Sequence, residues 1–237
     1  MKHRVVLIGT SHNRLGNSNL PSGVWLEELA QAYFVLREAD AELLLATPRG
    51  GRVPLDPGSC HDPWLSELGR KLLNDTDGKR MLEDSLPLCE VDAESVDSIY
   101  IVGGAGAMAD LPDDAALGSL LASLIRRDRP VAAVCHGVAG FAAGRAADGS
   151  PLVAGRRVTC FSNLEEEQVG YVAHLPVLPE TLLRSQGALY SSAEPWVEYV
   201  VVDGPLLTGQ NPSSAGPLAR RLVESLRVQQ FNAVRPS

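Results

Sequence analysis

The sequence predicts an α/β protein with a mostly parallel sheet covered by helices on both faces. Apolar runs compatible with strands recur at residues 4–9, 41–47, 98–102 and 131–134. Segments with helical spacing of apolar residues alternate with them, which is the order of a parallel, doubly covered sheet with right-handed crossovers. The first run, RVVLIG, is continuous rather than alternating, as in a strand buried on both faces, and it empties into a loop rich in Ser, Asn and Gly (residues 11–23). Open α/β sheets place their ligands at such strand ends.

With 237 residues, 45% of them hydrophobic and 21% charged, the chain is long enough for one substantial core. A single domain over 1–237 is expected, with a small cap or insert at 53–92. A formal net charge of −8, a pI near 5.1 and the lack of a dense Lys/Arg run oppose a nucleic-acid partner. Cysteines 60, 89, 135 and 160 form no CxxC pair and have no His at zinc-finger spacing, so neither a redox motif nor a structural metal site is suggested, and a disulfide is unsupported. The apolar run after MKHR is too short for a secretory signal and no stretch reaches membrane-spanning length, so a soluble, cytoplasmic protein is expected.

Ser22 is positioned to cap a helix over residues 23–39, whose Trp25, Leu29, Ala32 and Leu36 share one face. Glu28 sits beside that stripe, one turn after Val24. Its carboxyl either reaches the top edge of the sheet or lies half exposed, as helix glutamates commonly do. AELLLAT (41–47) reads as the second strand and Pro48, Arg49, Gly50 and Gly51 as its turn. The stretch 53–92 is weakly periodic, with one helix expected at 63–73 and a shorter one near Met81. SIYIV (98–102) resumes the strand pattern and runs into Gly103, Gly104, Ala105 and Gly106. Such a turn lets backbone N–H groups approach an anion or oxyanion, although it lacks the ending of a P-loop. A helix at 113–128 turns Leu117, Leu120, Leu121 and Leu124 inward. Strands at 157–161 and 198–203, a helix at 180–186, a return at 205–208 and a final helix capped by Ser213 or Ser214 complete the chain.

Residues 131–137, VAAVCHG, carry the chemistry. A short strand stops at Cys135, with small residues two places away on either side, Ala133 and Gly137. That is the form of a nucleophile elbow, in which the reactive side chain sits on a strained strand-to-helix turn. A helix starting near Gly137 would favour the thiolate of Cys135 through its dipole. The same seven residues also suit a buried structural cysteine. His12 reads as a solvated loop residue, and the acidic run Glu165, Glu166, Glu167 as a solvated turn unless one of the three faces the elbow histidine.

Six motifs in order, GVWLEE (23–28), TPRGG (47–51), GGAGAMADLP (103–112), AAVCHG (132–137), VTCFSNLEE (158–166) and VDGPLLTGQNPSS (202–214), resemble the ThiJ/PfpI superfamily. Within it they look most like the chaperone-like, glutathione-independent glyoxalase branch. The resemblance implies a flavodoxin-like α/β sandwich of class I glutamine amidotransferase topology, usually a homodimer. It implies Cys135 as nucleophile, His136 beside it, Glu28 as the acid touching the cysteine, and Glu166, or its neighbour Glu165, as partner of the histidine. The oxyanion position falls on the amides of Gly104 and His136, and Gly103 and Ala105, in the same turn as Gly104, are expected to bind the substrate or its oxyanion with them. Two departures stand out: Ala105, where the family commonly has His, and Cys160, where it commonly has Gly. The first removes a polar group from the pocket wall and puts the usual substrate in question.

The implied chemistry is a glyoxalase reaction in a stress or detoxification role. Cys135 attacks the aldehyde of methylglyoxal or a related 2-oxoaldehyde, Glu28 moves a proton between the two substrate carbons, and water releases lactate, with no cofactor or metal. Two alternatives stand beside it. One is a cysteine hydrolase, amidase or deglycase, although the distant His-x-Glu pair of glutaminases is missing and the only later histidine, His174, lies in a loop-like stretch. The other is a stress chaperone or redox sensor whose Cys135 is oxidised.

Overall fold

Alternate side chains of one strand seed two cores. In β1 (Arg4–Ile8), Val5 and Leu7 pack into one cluster and Val6 and Ile8 into the other. The computed structural model describes residues 2–234, with side chains through residue 231. Its other strands are β2 (Glu42–Thr47), β3 (Leu86–Pro87), β4 (Ser98–Ile101), β5 (Val131–Val134), β6 (Arg157–Val158), β7 (Leu189–Tyr190), β8 (Val200–Asp203) and β9 (Leu206–Gly209). The α-helices are α1 (Leu26–Glu38), α2 (Glu67–Asn74), α3 (Thr76–Glu83), α4 (Ala107–Asp110), α5 (Ala115–Arg126), α6 (Asn163–Val169), α7 (Pro179–Ser185) and α8 (Ala215–Val234).

The main sheet has seven strands in the order β3-β2-β1-β4-β5-β9-β8, parallel throughout except for the final β9–β8 pair. Tyr100, Val134 and Leu207 join Val5 and Leu7 against Leu29 and Leu36 of α1 and Leu218 and Leu222 of α8. On the other face Ile99, Ile101 and Ala133 meet Leu117, Leu120, Leu121 and Leu124 of α5 and Leu183 of α7. The predicted doubly covered sheet and the inward leucines of α5 are therefore as the sequence pattern requires. Among the described residues no helix is long and apolar enough to cross a membrane.

Several boundaries differ from expectation, each for a local reason. The first helix begins at Leu26 rather than residue 23, because the preceding backbone is engaged elsewhere: Val24 N–H donates to Pro54 O at 2.8 Å and Trp25 N–H to Gly103 O at 3.0 Å. Ser22 does not cap it; its hydroxyl donates to Asp56 Oδ2 at 3.1 Å. The helix expected at 63–73 begins at Glu67, where Ser66 Oγ accepts from Gly69 N–H and caps it. The strand expected at 157–161 ends at Val158, since Thr159 N–H is taken by the side chain of Thr208 at 3.0 Å, and β6 pairs with β7 in a separate ribbon. Ser214 does not cap α8. Its Oγ donates to Asn211 Oδ1 and accepts from Tyr199 N–H, while Pro212–Ser214 forms a 3₁₀ turn.

The segment 53–92 adds β3 to the sheet edge and packs α2 against α1. After β5 the chain enters a 3₁₀ helix, Cys135–Ala143, instead of an α-helix starting near Gly137. Gly137 lies so close to β4 that an added Cβ would stand 2.6 Å from Val102 O and 2.9 Å from Ile101 O. Both contacts are backbone and cannot rotate away. Gly137→Ala is expected to destabilise the protein by about 1–3 kcal/mol in urea unfolding, by forcing β4 and the elbow apart.

Candidate active site

Strand β5 ends in a residue with a backbone that side chains rarely tolerate: Cys135 has φ +57°. The turn lifts the thiol off the carboxyl end of the sheet, as an elbow should. The sulfur is 3.2 Å from His136 Nδ1, and the His136 backbone N–H also interacts with it. Cys135 is only 4% exposed.

Glu28, in the first turn of α1, is entirely buried. The late start of α1 brings this turn over the β4 edge, where Gly103 N–H donates to Glu28 Oε2 at 2.8 Å. Only glycine allows the approach, since a Cβ at residue 103 would lie 2.6 Å from that oxygen and 2.7 Å from Cys135 Cβ. Burial raises the Glu28 carboxyl from the ordinary 4.5 to about 7, against smaller downward pulls from Cys135 and the Gly103 amide. Burial also pushes the Cys135 thiol well up, and the neighbouring Glu28 carboxylate pushes it further. The expectation that a helix terminus favours the thiolate is thus overturned in this resting arrangement: loss of hydration and a like charge outweigh the amide of His136. Each of the two acids shifts the other, Cys135 drawing Glu28 down and Glu28 driving Cys135 up.

His136 Nε2 is 2.9 Å from Glu166 Oε1, and both side chains are buried. Burial alone would lower the imidazole, but the Glu166 carboxylate and the charges of Glu28 and Asp56 outweigh it and hold His136 above its ordinary range. Of the three candidate carboxylates, Glu166 is therefore the one that meets the histidine. Glu167 is exposed. Glu165 accepts from Ser162 N–H and Oγ, Gln210 Nε2, Asn211 Nδ2 and Trp196 N–H, closing a capping box at the start of α6 and tying three segments together.

A cavity of about 170 Å³ opens above the thiol, with Gly104, Ala105, Cys135 and His136 among its lining residues. Four further groups in its wall were not singled out from the sequence: Asp56, Trp64, Phe161 and Trp196. Phe161 stacks on His136 with centroids 4.7 Å apart, Trp196 meets Phe161 edge-on at 5.6 Å, and Trp64 lies 5.9 Å from Trp196. Asp56 and Trp64 come from the weakly periodic stretch, where the only legible hint was Asp-Pro-Gly turn chemistry. Cys160 is buried in the core cluster on the α5 face of the sheet, and its sulfur donates to Phe161 O. His12 is half-buried in the loop after β1, and His174 lies in the loop after α6. Among the described residues no cluster of His, Cys, Asp and Glu is arranged to hold a metal.

The sequence profile of the DJ-1/PfpI family matches residues 20–225. The chain belongs to the DJ-1/PfpI family. Over 94% of its length it is 30% identical to a glutathione-independent glyoxalase of Saccharomyces cerevisiae, 98% of which is covered. Its fold is similar to that of glyoxalase III from Candida albicans, with a TM-score of 0.87 and 25% identity over 94% of this chain and 97% of that one. It is also similar to the Rapid Encystment Protein 24 KDa of Francisella tularensis, with a TM-score of 0.91 and 34% identity over 95% and 99% of the two chains. Family membership and the flavodoxin-like fold expected from the six motifs are thereby shown.

The buried acid has a thermodynamic signature. Between its unfolded value of 4.5 and its folded value of about 7, the folded protein keeps a proton on Glu28 that the unfolded chain releases. Stability therefore falls as pH rises through that window, by about 3 kcal/mol in the limit. Urea unfolding at pH 5 and pH 8 should show Glu28→Gln gaining on the wild type by up to that amount at the higher pH. An unchanged difference between the two proteins would mean that residue 28 carries no raised pKa.

Proposed function

We propose that this chain is a cysteine-dependent, glutathione-independent glyoxalase that converts methylglyoxal and related 2-oxoaldehydes to 2-hydroxy acids, D-lactate for methylglyoxal, in a detoxification role. The observation that carries the reading is a fully buried carboxyl, Glu28, set beside the thiol of a strained elbow cysteine, where burial raises its pKa to about 7. An acid–base group for moving a carbon-bound proton at neutral pH needs a pKa in that range. The glyoxalases of Saccharomyces cerevisiae and Candida albicans, similar to this chain over almost its whole length, support the same substrate class.

The pair Glu28–Cys135 with one proton between them can place it on oxygen, leaving a thiolate. The sulfur bonds to the aldehyde carbon, the carbonyl oxygen takes the Glu28 proton, and a hemithioacetal forms. Glu28, now a carboxylate, removes the hydrogen from C1 as a proton; the electron pair moves towards the ketone oxygen to make an enediolate, and Glu28 returns the proton at C2. His136 carries the C1 hydroxyl proton to the C2 oxygen, which leaves the thioester of the 2-hydroxy acid. C1 is oxidised and C2 reduced within one molecule, so the step consumes no outside oxidant or reductant. Water, deprotonated by His136 with Glu166 behind it, then adds to the thioester and expels the thiolate. The amides of Gly104 and His136 are suited to the developing oxyanion, a role worth roughly 3–4 kcal/mol in other enzymes.

Lactate formed from methylglyoxal without added thiol tests the proposal. Cys135→Ala should abolish turnover, and Glu28→Gln should lower kcat by about 10²–10⁴. Undiminished lactate formation by either folded variant would overturn it.

A further inference from the structure

Among the described residues lining the cavity, Asp56 is the only carboxylate and there is no lysine or arginine. It is 5% exposed. Burial raises its carboxyl above the ordinary range, while the hydrogen bonds that Oδ1 accepts from Gly58 N–H at 2.9 Å and Oδ2 from the Ser22 hydroxyl at 3.1 Å, with the nearby His136, pull towards the carboxylate. It lines the same cavity as Cys135, His136 and Tyr171, and its charge reaches both His136 and Tyr171. The positive charge that His136 can carry is already answered by Glu166, while Glu28 lies behind Cys135. The rest of the wall is largely aromatic. A second negative charge entering this space would leave water, meet a fixed carboxylate and find no free cation.

We infer that Asp56 is a charge filter for Cys135: the cavity admits uncharged carbonyl compounds and turns away those that carry a carboxylate, such as glyoxylate and other 2-oxo acids. This deepens the glyoxalase reading by naming the substrate class that the site rejects, and it rests on Cys135 being the group the carbonyl compound meets. The carboxylate also caps the 3₁₀ turn Pro57–Cys60 through Gly58. Asparagine has the same shape and keeps an oxygen for that cap, so Asp56→Asn removes the charge with the least change in structure.

The test compares alkylation of Cys135 by iodoacetamide, which is neutral, and iodoacetate, which is anionic. In both reactions the sulfur bonds to the methylene carbon and iodide leaves. Rates are read site by site by mass spectrometry, with the exposed Cys89 of the same molecule as reference. At low ionic strength the wild type should favour iodoacetamide at Cys135 at least tenfold more than at Cys89, and Asp56→Asn should reduce that excess about tenfold. Ser22→Ala disturbs the same turn but keeps the charge, and should retain the wild-type preference. The filter is overturned if the wild type shows no excess, if Asp56→Asn leaves the excess unchanged, or if Ser22→Ala relaxes it equally. Because alkylation needs no turnover, a wild type inactive on methylglyoxal would refute the glyoxalase reading while the alkylation ratios still decide the filter.

Discussion

The rest of the site depends on one unfavourable burial, that of the Glu28 carboxyl beneath Cys135. A carboxyl removed from water costs several kcal/mol as an anion unless it is paired, and here it faces a thiol rather than a cation. The fold meets this cost by letting the acid stay protonated to about pH 7 and by supplying the Gly103 amide. Each part of that solution constrains the chain. Residue 103 must lack a side chain, and residues 24 and 25 must stay extended so that α1 starts where Glu28 falls over the strand end.

Two adjacent glutamates show how strongly environment divides identical side chains. Successive residues on a helix point about 100° apart, so Glu165 and Glu166 leave α6 in different directions although both are buried. Glu165 meets five donors and acts as a scaffold. Glu166 meets the ring of His136, while its second oxygen, Oε2, has no partner among the described residues. A carboxylate held by five donors is committed to its scaffold, whereas one with a free oxygen beside an imidazole can stabilise the charge that appears there.

The parts of the chain legible beforehand were those whose signal is local. Continuous apolar runs marked β1, β2, β4 and β5, and the small residues around Cys135 marked the elbow, because each follows from backbone sterics within a few residues. Boundaries failed where a distant segment claimed a backbone group: Pro54 took the amide of Val24, and Thr208 took that of Thr159. Asp56 and Trp64 were missed for a related reason. They lie in short helices and turns whose hydrophobic pattern is too brief to read, and their importance comes from contacts with residues far away in sequence. The choice between Glu165 and Glu166 was open because Gln210 and Asn211, which claim Glu165, are brought to it only by the folded chain.

The scaffold glutamate also explains why the imidazole is held by packing as well as by charge. Trp196 has φ +66°, a conformation a bulky residue adopts only when its surroundings impose it at a cost of order 1–3 kcal/mol. Its backbone N–H donates to Glu165 and its indole N–H to Gln168, both on α6. So fixed, its ring stands edge-on against Phe161, which lies flat on His136. One turn of α6 therefore reaches the histidine by two routes, through the hydrogen bond of Glu166 and through the aromatic stack that Glu165 anchors. A ring constrained on its face and at Nε2 has little freedom to swing its Nδ1 away from the sulfur 3.2 Å distant, and proton transfer at that nitrogen requires this restraint.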